Sequence, residues 1–436
     1  MSFPKHAATR LMIAAALAVA LNAAGAGHAD LFEYVAKPDE AYEWELRKVE
    51  ETPLGKVYDL HMVSQVWQGI TWEHQVQVYE PRQVRVRDVV ALYITGGGAN
   101  EEAQLLGLTI ANSVGARLAT LYHIPNQPLF GDLSEDALIS HTWLKYLETG
   151  DEDWILLFPM VKSALRAMDC LEELAGQRWE VKPRGFVVLG ASKRGWTTYL
   201  TGIVAPERVL GIAPMVFDIL NMAVQAQHQR DFWGDYSPQI GDYTEKNLEA
   251  IAETGRGFRL FWMVDPYTYR DRLLMPKLVI LGSNDPYWPV DAVNYYWAGL
   301  PQPKLLLIAP DSGHDLDDRT RVLGSLAGFF GLVAGEQPLP RVVWRYDNTE
   351  EGVELHVVAE PEPAETRLWV ARSEVRDFRN AEWEEAPLPA QGEELVAAIA
   401  RAEGQYTAVY GEVVFEVDGR ELYTSTQPRV LHPRVR

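Results

Sequence analysis

A single cysteine stands among 436 residues, and that scarcity excludes a good deal. Cys170 alone cannot close an intrachain disulfide, and a thiolate zinc site needs several such residues. Positive charge is also in short supply. Forty Lys plus Arg face 61 Asp plus Glu, and the resulting net charge of -21 repels phosphate backbones and argues against nucleic-acid binding. The histidines are scattered, with no HExxH or comparable ligand spacing, and no Gly-Lys-Ser/Thr follows the triplet Gly96-Gly97-Gly98 to make a phosphate loop. Asp311, Asp315, Asp317 and Asp318 form an acidic cluster without EF-hand spacing, which reads as a solvated loop. No cofactor or metal is therefore expected. The longest apolar run, Leu11 to Leu21, falls short of the ~20 residues that span a bilayer.

What is present suits a globular protein with a full core: 47% of residues are hydrophobic and 11% aromatic. At roughly 100–200 residues per domain the length predicts two or three domains. Residues 1–29 have their own logic. Lys5 and Arg10 precede the apolar run, and small residues lead to Gly27-His28-Ala29, the pattern of a secretory signal peptide cleaved after Ala29. The expected product is exported, periplasmic or secreted. It has no lipid-anchor cysteine at the new N-terminus and no transmembrane segment.

Residues 30–338 read as an α/β body. Tyr42 to Val49, Lys56 to Val66 and Glu73 to Tyr79 alternate with period two, as an antiparallel opening would. Asp88 to Thr95 is apolar on both faces, which suits a buried parallel strand. Strands are further expected at Ala116 to Leu121, Arg184 to Ala191, Leu210 to Phe217, Lys277 to Leu281 and Lys304 to Ile308. Helical spacing covers Ala103 to Val114, Ser134 to Leu147, Trp154 to Leu174 (stopped at Gly176) and Trp196 to Val204. Alternating strands and helices predict a mostly parallel sheet covered on both faces, with ligands at the strands' carboxyl ends. An aromatic-rich excursion, about 219–276, suits a helical cap or a layer that only packs. Beyond Pro340 lysine disappears and short alternating runs appear (Val353 to Val358, Thr366 to Val370, Tyr406 to Tyr410, Glu412 to Val417), predicting a β-sandwich over 339–436.

Serine needs a neighbouring base to act as a nucleophile, and that base needs an orienting acid. Ser192 lies in Gly190-Ala191-Ser192-Lys193-Arg194-Gly195, a sharp turn from strand to helix that would present its hydroxyl at the top of the sheet. Asp285 and His314 follow successive later strands, so serine, acid and histidine occur in the order α/β-hydrolases use. Asp218, after the preceding strand, is the rival acid. Lys193 N–H with Gly97 or Gly98 could form an oxyanion hole, since glycines let backbone approach a substrate closely. Asn100, Arg194 and Trp288 are candidate substrate contacts, although Lys193 or Arg194 could equally be absorbed in salt bridges. The bulky Arg194 departs from the common G-x-S-x-G pattern.

Several motifs together resemble the PhoPQ-activated pathogenicity-related family of exported α/β-hydrolase-like proteins. They include Tyr34-Val-Ala-Lys-Pro-Asp39, Ser64-Gln-Val-Trp67, Trp72-Glu-His74, Gly96-Gly-Gly-Ala-Asn100, Gly190 to Thr197, Asp265-Pro-Tyr267, Asn284-Asp-Pro286 and Asp377-Phe-Arg379. The resemblance implies triad positions at Ser192, Asp285 and His314, an elbow in which Arg194 is normal, and an immunoglobulin-like C-terminal sandwich. The expected function is a serine hydrolase of esters or amides, acting on a small-molecule ester or a peptide. The alternative is a non-catalytic exported interaction protein on the same scaffold.

Overall fold

The computed structural model describes residues 30–251 and 254–434; the expected leader lies outside them. Nine strands form one sheet in the order β1-β2-β3-β5-β4-β6-β7-β8-β9. The opening is antiparallel, as its period-two pattern predicts: β1 (Glu43–Thr52), β2 (Gly55–Trp67) and β3 (Ile70–Pro81) pair as a meander, and β3 pairs antiparallel with β5 (Ala116–Leu121). From there the sheet is parallel through β4 (Val86–Ile94), β6 (Gly185–Ala191), β7 (Val209–Met215), β8 (Lys277–Gly282) and β9 (Lys304–Ala309). The continuous apolar run of β4 is explained by its central place, since β5 and β6 flank it and both faces are covered.

After α1 (Leu31–Ala36), the helices that cover the sheet are α2 (Glu101–Val114), α3 (Glu135–Thr149), α4 (Leu157–Arg178) and α5 (Lys193–Val204). Gly176 does not stop α4. The helix runs two residues further and ends at Trp179, whose ring is buried under the Arg117 guanidinium; that packing outweighs the intrinsic cost of a glycine in a helix. Residues 218–276 contribute no strand among those described. They fold as α6 (Met222–Trp233), α7 (Gly241–Thr244), α8 (Gly255–Val264) and short 3-10 turns, a helical cap. No helix among the described residues is long and apolar enough to cross a membrane.

After α9 (Arg319–Ala334) the chain enters a β-sandwich. One sheet joins β10 (Arg341–Asn348), β11 (Gly352–Glu360), β15 (Glu394–Ala400) and β14 (Ala390–Gln391). The other joins β13 (Trp383–Pro387), β12 (Glu365–Ser373), β16 (Tyr406–Val417) and β17 (Arg420–Ser425), with β18 (Arg429–Leu431) paired to β16. The two short runs expected at Tyr406 to Tyr410 and Glu412 to Val417 are one strand. Gly411 lies within it because Leu355, Leu388 and Thr426 side chains crowd the space a Cβ would take. Sandwich and body share packing: Phe329 and Phe330 of α9 belong to one buried cluster with Leu355, Val413 and Leu422.

Candidate active site

Ser192 is the residue between β6 and α5, and its φ of 56° and ψ of -124° are a conformation that side-chain-bearing residues rarely adopt. Two glycines make the turn possible. A Cβ on Gly190 would sit 2.6 Å from the Arg194 carbonyl oxygen, and one on Gly195 would sit 2.9 Å from that of Met215. The Ser192 N–H donates to the Met215 carbonyl at 2.9 Å, fixing the turn to β7. Arg194 does not strain this elbow, because its side chain leaves it: Nε donates to the Ile124 carbonyl and the guanidinium pairs bidentately with Glu135. Burial would raise the Glu135 pKa, but Arg194, with Gln127 and Lys193, holds it at about 2.

His314, on the loop after β9, reaches both neighbours. Its Nε2 is 2.9 Å from the Ser192 Oγ and its Nδ1 is 2.8 Å from Asp285 Oδ2. The other Asp285 oxygen accepts the Tyr287 N–H at 2.8 Å. The Tyr287 ring lies against the imidazole, with centroids 4.2 Å apart. No hydrogen bond among the described residues joins the rival acid, Asp218, to His314. Its Oδ1 is buried without a partner, and desolvation, reinforced by the charges of Asp285 and Asp291, pushes its pKa well above the carboxylate range. The hydrogen bond to the histidine is made by Asp285.

Two clefts meet at Ser192 and His314. One is an apolar chamber of about 130 Å³ under the cap, walled by Trp143, Trp196, Phe217, Met222, Phe261 and Trp288. The other is a polar groove past Thr95, Gly96, Gly97, Glu135, Arg194 and Asp315. Trp288, expected as a substrate contact, lines the chamber, and Gly97, expected at an oxyanion hole, lines the groove. Gly98 and Asn100 are not among the residues lining either cleft. Gly98 backs onto the His123 ring, and the Asn100 side chain caps α2 by accepting the Ala103 N–H. Arg194 borders the groove, but its guanidinium is taken up by Glu135 beneath Gly96, where a Cβ would collide with it. Lys193 is likewise occupied, its Nζ 2.7 Å from Asp136 and 3.4 Å from Glu135. Burial lowers the pKa of this lysine, and Asp136 more than restores it.

The loops carrying Asp285 and His314 are tied to one segment of the sandwich. The Asn284 amide, one residue before the acid, lies 2.7 Å from the Ala381 carbonyl and 3.2 Å from that of Phe378. Asp311, three residues before the histidine and at a φ of 50°, accepts the Trp383 N–H at 2.8 Å. Among the described residues no cluster of His, Cys, Asp or Glu could hold a metal ion.

Comparison with known proteins places this arrangement. The profile of the PhoPQ-activated pathogenicity-related protein family matches residues 31–379. The chain belongs to that family. A relative named autocrine proliferation repressor protein A, from Dictyostelium discoideum, is 32% identical over 378 residues, which is 80% of this chain and 76% of that protein. Among solved structures, acetyl xylan esterase 1 from Thermoanaerobacterium sp. JW/SL YS485 matches with a TM-score of 0.50 at 15% identity, covering 70% of this chain and 91% of that one. At that identity the likeness shows the fold alone, an α/β-hydrolase. The family motifs of this PhoPQ-related protein now have places: Asn284-Asp285-Pro286 carries the carboxyl group bonded to His314, and Asp377-Phe378-Arg379 opens the segment that Asn284 grips. Sequence reasoning overlooked Tyr287, Glu135 and Asp136. Tyr287 was within reach, two residues past the acid, whereas Glu135 and Asp136 read as ordinary acidic residues in the first turn of a helix.

Proposed function

We propose that this protein is an exported serine hydrolase that cleaves a carboxylic ester or amide. The observation that carries the proposal is the unbroken relay from Ser192 through His314 to Asp285, with bonds of 2.9 and 2.8 Å, at the carboxyl ends of three parallel strands. In this reading Ser192 Oγ attacks the carbonyl carbon while His314 Nε2 takes the hydroxyl proton. The tetrahedral oxyanion lies against the Lys193 N–H and the Gly97 turn. Collapse expels the leaving group, which takes the proton back from His314, and water then repeats the sequence on the acyl-enzyme. Asp285 keeps the imidazole in the tautomer that accepts at Nε2 and stabilises its charged form. Export rests on the leader-like residues 1–29. Division near residues 338 and 339, with an immunoglobulin-type sandwich beyond, is part of the same proposal.

A fluorophosphonate probe is expected to label the wild-type protein at Ser192 and to leave Ser192→Ala unlabelled. A folded wild type that resists the probe overturns the proposal. A second reading, a signalling protein on a hydrolase scaffold, is favoured by the name of the Dictyostelium relative. The same probe decides between the two.

A further inference from the structure

The apolar chamber beside Ser192 contains a charge-bearing group that neither the proposed chemistry nor an ion pair among the described residues occupies. Glu249 lines the chamber as a half-buried residue, and its Oε2 has no hydrogen-bond partner among the described residues. The other ionisable groups that bear on the catalytic end are already engaged. Lys193 pairs with Asp136, Asp136 also accepts the Tyr243 hydroxyl, and His314 is held between Ser192 and Asp285. Around Glu249 the wall is largely aromatic, with Trp143, Trp196, Phe217, Tyr243 and Phe261 lining the same space.

A carboxylate that no protein donor answers, on the wall of a largely apolar chamber, favours a ligand that brings the donor with it. Aromatic faces attract cations. A hydroxyl group would satisfy the oxygen and leave any charge uncompensated, whereas an ammonium or guanidinium answers both requirements through a charge-assisted hydrogen bond. The net charge of -21 draws cationic ligands toward the protein.

We propose that the chamber recognises a substrate group that is apolar along its length and cationic at its end, an alkyl- or arylammonium, with Glu249 as its counter-ion. The proposal rests on the hydrolase reading for the position of the scissile bond, but not for the binding. Two esters that differ only at the far end test it: 4-nitrophenyl 4-(aminomethyl)benzoate and 4-nitrophenyl 4-ethylbenzoate. Wild type is expected to favour the cationic ester in kcat/KM by about tenfold or more. Glu249→Gln should bring that ratio close to one, and Glu249→Lys should invert it. Calorimetry on Ser192→Ala with 4-methylbenzylammonium and 4-methylbenzyl alcohol measures binding without turnover, and the ammonium should bind more tightly. Equal binding of the two overturns the proposal, as does a cationic preference that survives in Glu249→Gln. Tighter ammonium binding in a protein that cleaves neither ester upholds the role of the chamber and overturns the hydrolase reading instead.

Discussion

Asp285 and Asp218 are two carboxyl groups that follow neighbouring strands, and their surroundings separate them. Asp285 accepts a backbone N–H and the imidazole, so its charge is answered on both oxygens. Asp218 sits in the core with an unpartnered oxygen, where desolvation favours the protonated form. Asn is a fair replacement for a neutral acid and a poor one for a carboxylate. Asp285→Asn is therefore expected to lower kcat by about four orders of magnitude, and Asp218→Asn to stay within a few-fold of wild type. Steady-state kinetics with one chromogenic ester, alongside thermal melts to confirm folding, compare them directly; the reverse ranking would transfer the role of acid to Asp218. Cys170 shows the same influence of surroundings. It is fully buried in α4 and desolvation raises its thiol pKa, so the lone cysteine is a packing group with no nucleophilic role.

At the level of elements, the histidine and acid loops are aimed from outside their own sheet. Asn284→Ala removes an amide that reaches the Phe378 and Ala381 carbonyls, and Asp311→Ala removes the acceptor for Trp383. Each buried group left unpaired costs about 1–3 kcal/mol. Each variant is expected to lower kcat about tenfold or more with little change in KM, and Asp311→Asn, which keeps an acceptor oxygen, should recover most of the loss. A change confined to melting temperature would mean that these contacts support stability alone. The strands of the body were legible in the sequence because burial writes itself as period: alternating in β1 to β3, continuous in β4. Ser192, Asp285 and His314 were legible as candidates because each follows a strand. The brace was not, because Asn284 and Phe378 lie almost a hundred residues apart and nothing in local pattern joins them. Asn100 misled for a related reason, since one polar residue at a helix start suits a cap and a substrate contact equally well.

On the scale of the whole molecule, body and sandwich are held together by polar groups as well as by the shared core. Glu412, fully buried on β16, is held by Arg321 of α9 and Arg367 of β12. The Ile308 N–H of β9 donates to Ser425, and Ser325 bonds both backbone groups of Tyr423. A chain ending at residue 338 would expose Phe329 and Phe330 and leave Arg321 without Glu412. It is expected to be recovered as aggregate, and a soluble, cooperatively melting fragment would show that the body stands alone. The position of the brace also sets an order in time. A ribosome releases Ser192, Asp285 and His314 before it releases Trp383, so the growing chain has all three members of the relay while the segment that braces two of their loops is still unmade. On the proposed hydrolase reading, the relay is aligned only once the last hundred residues have been made.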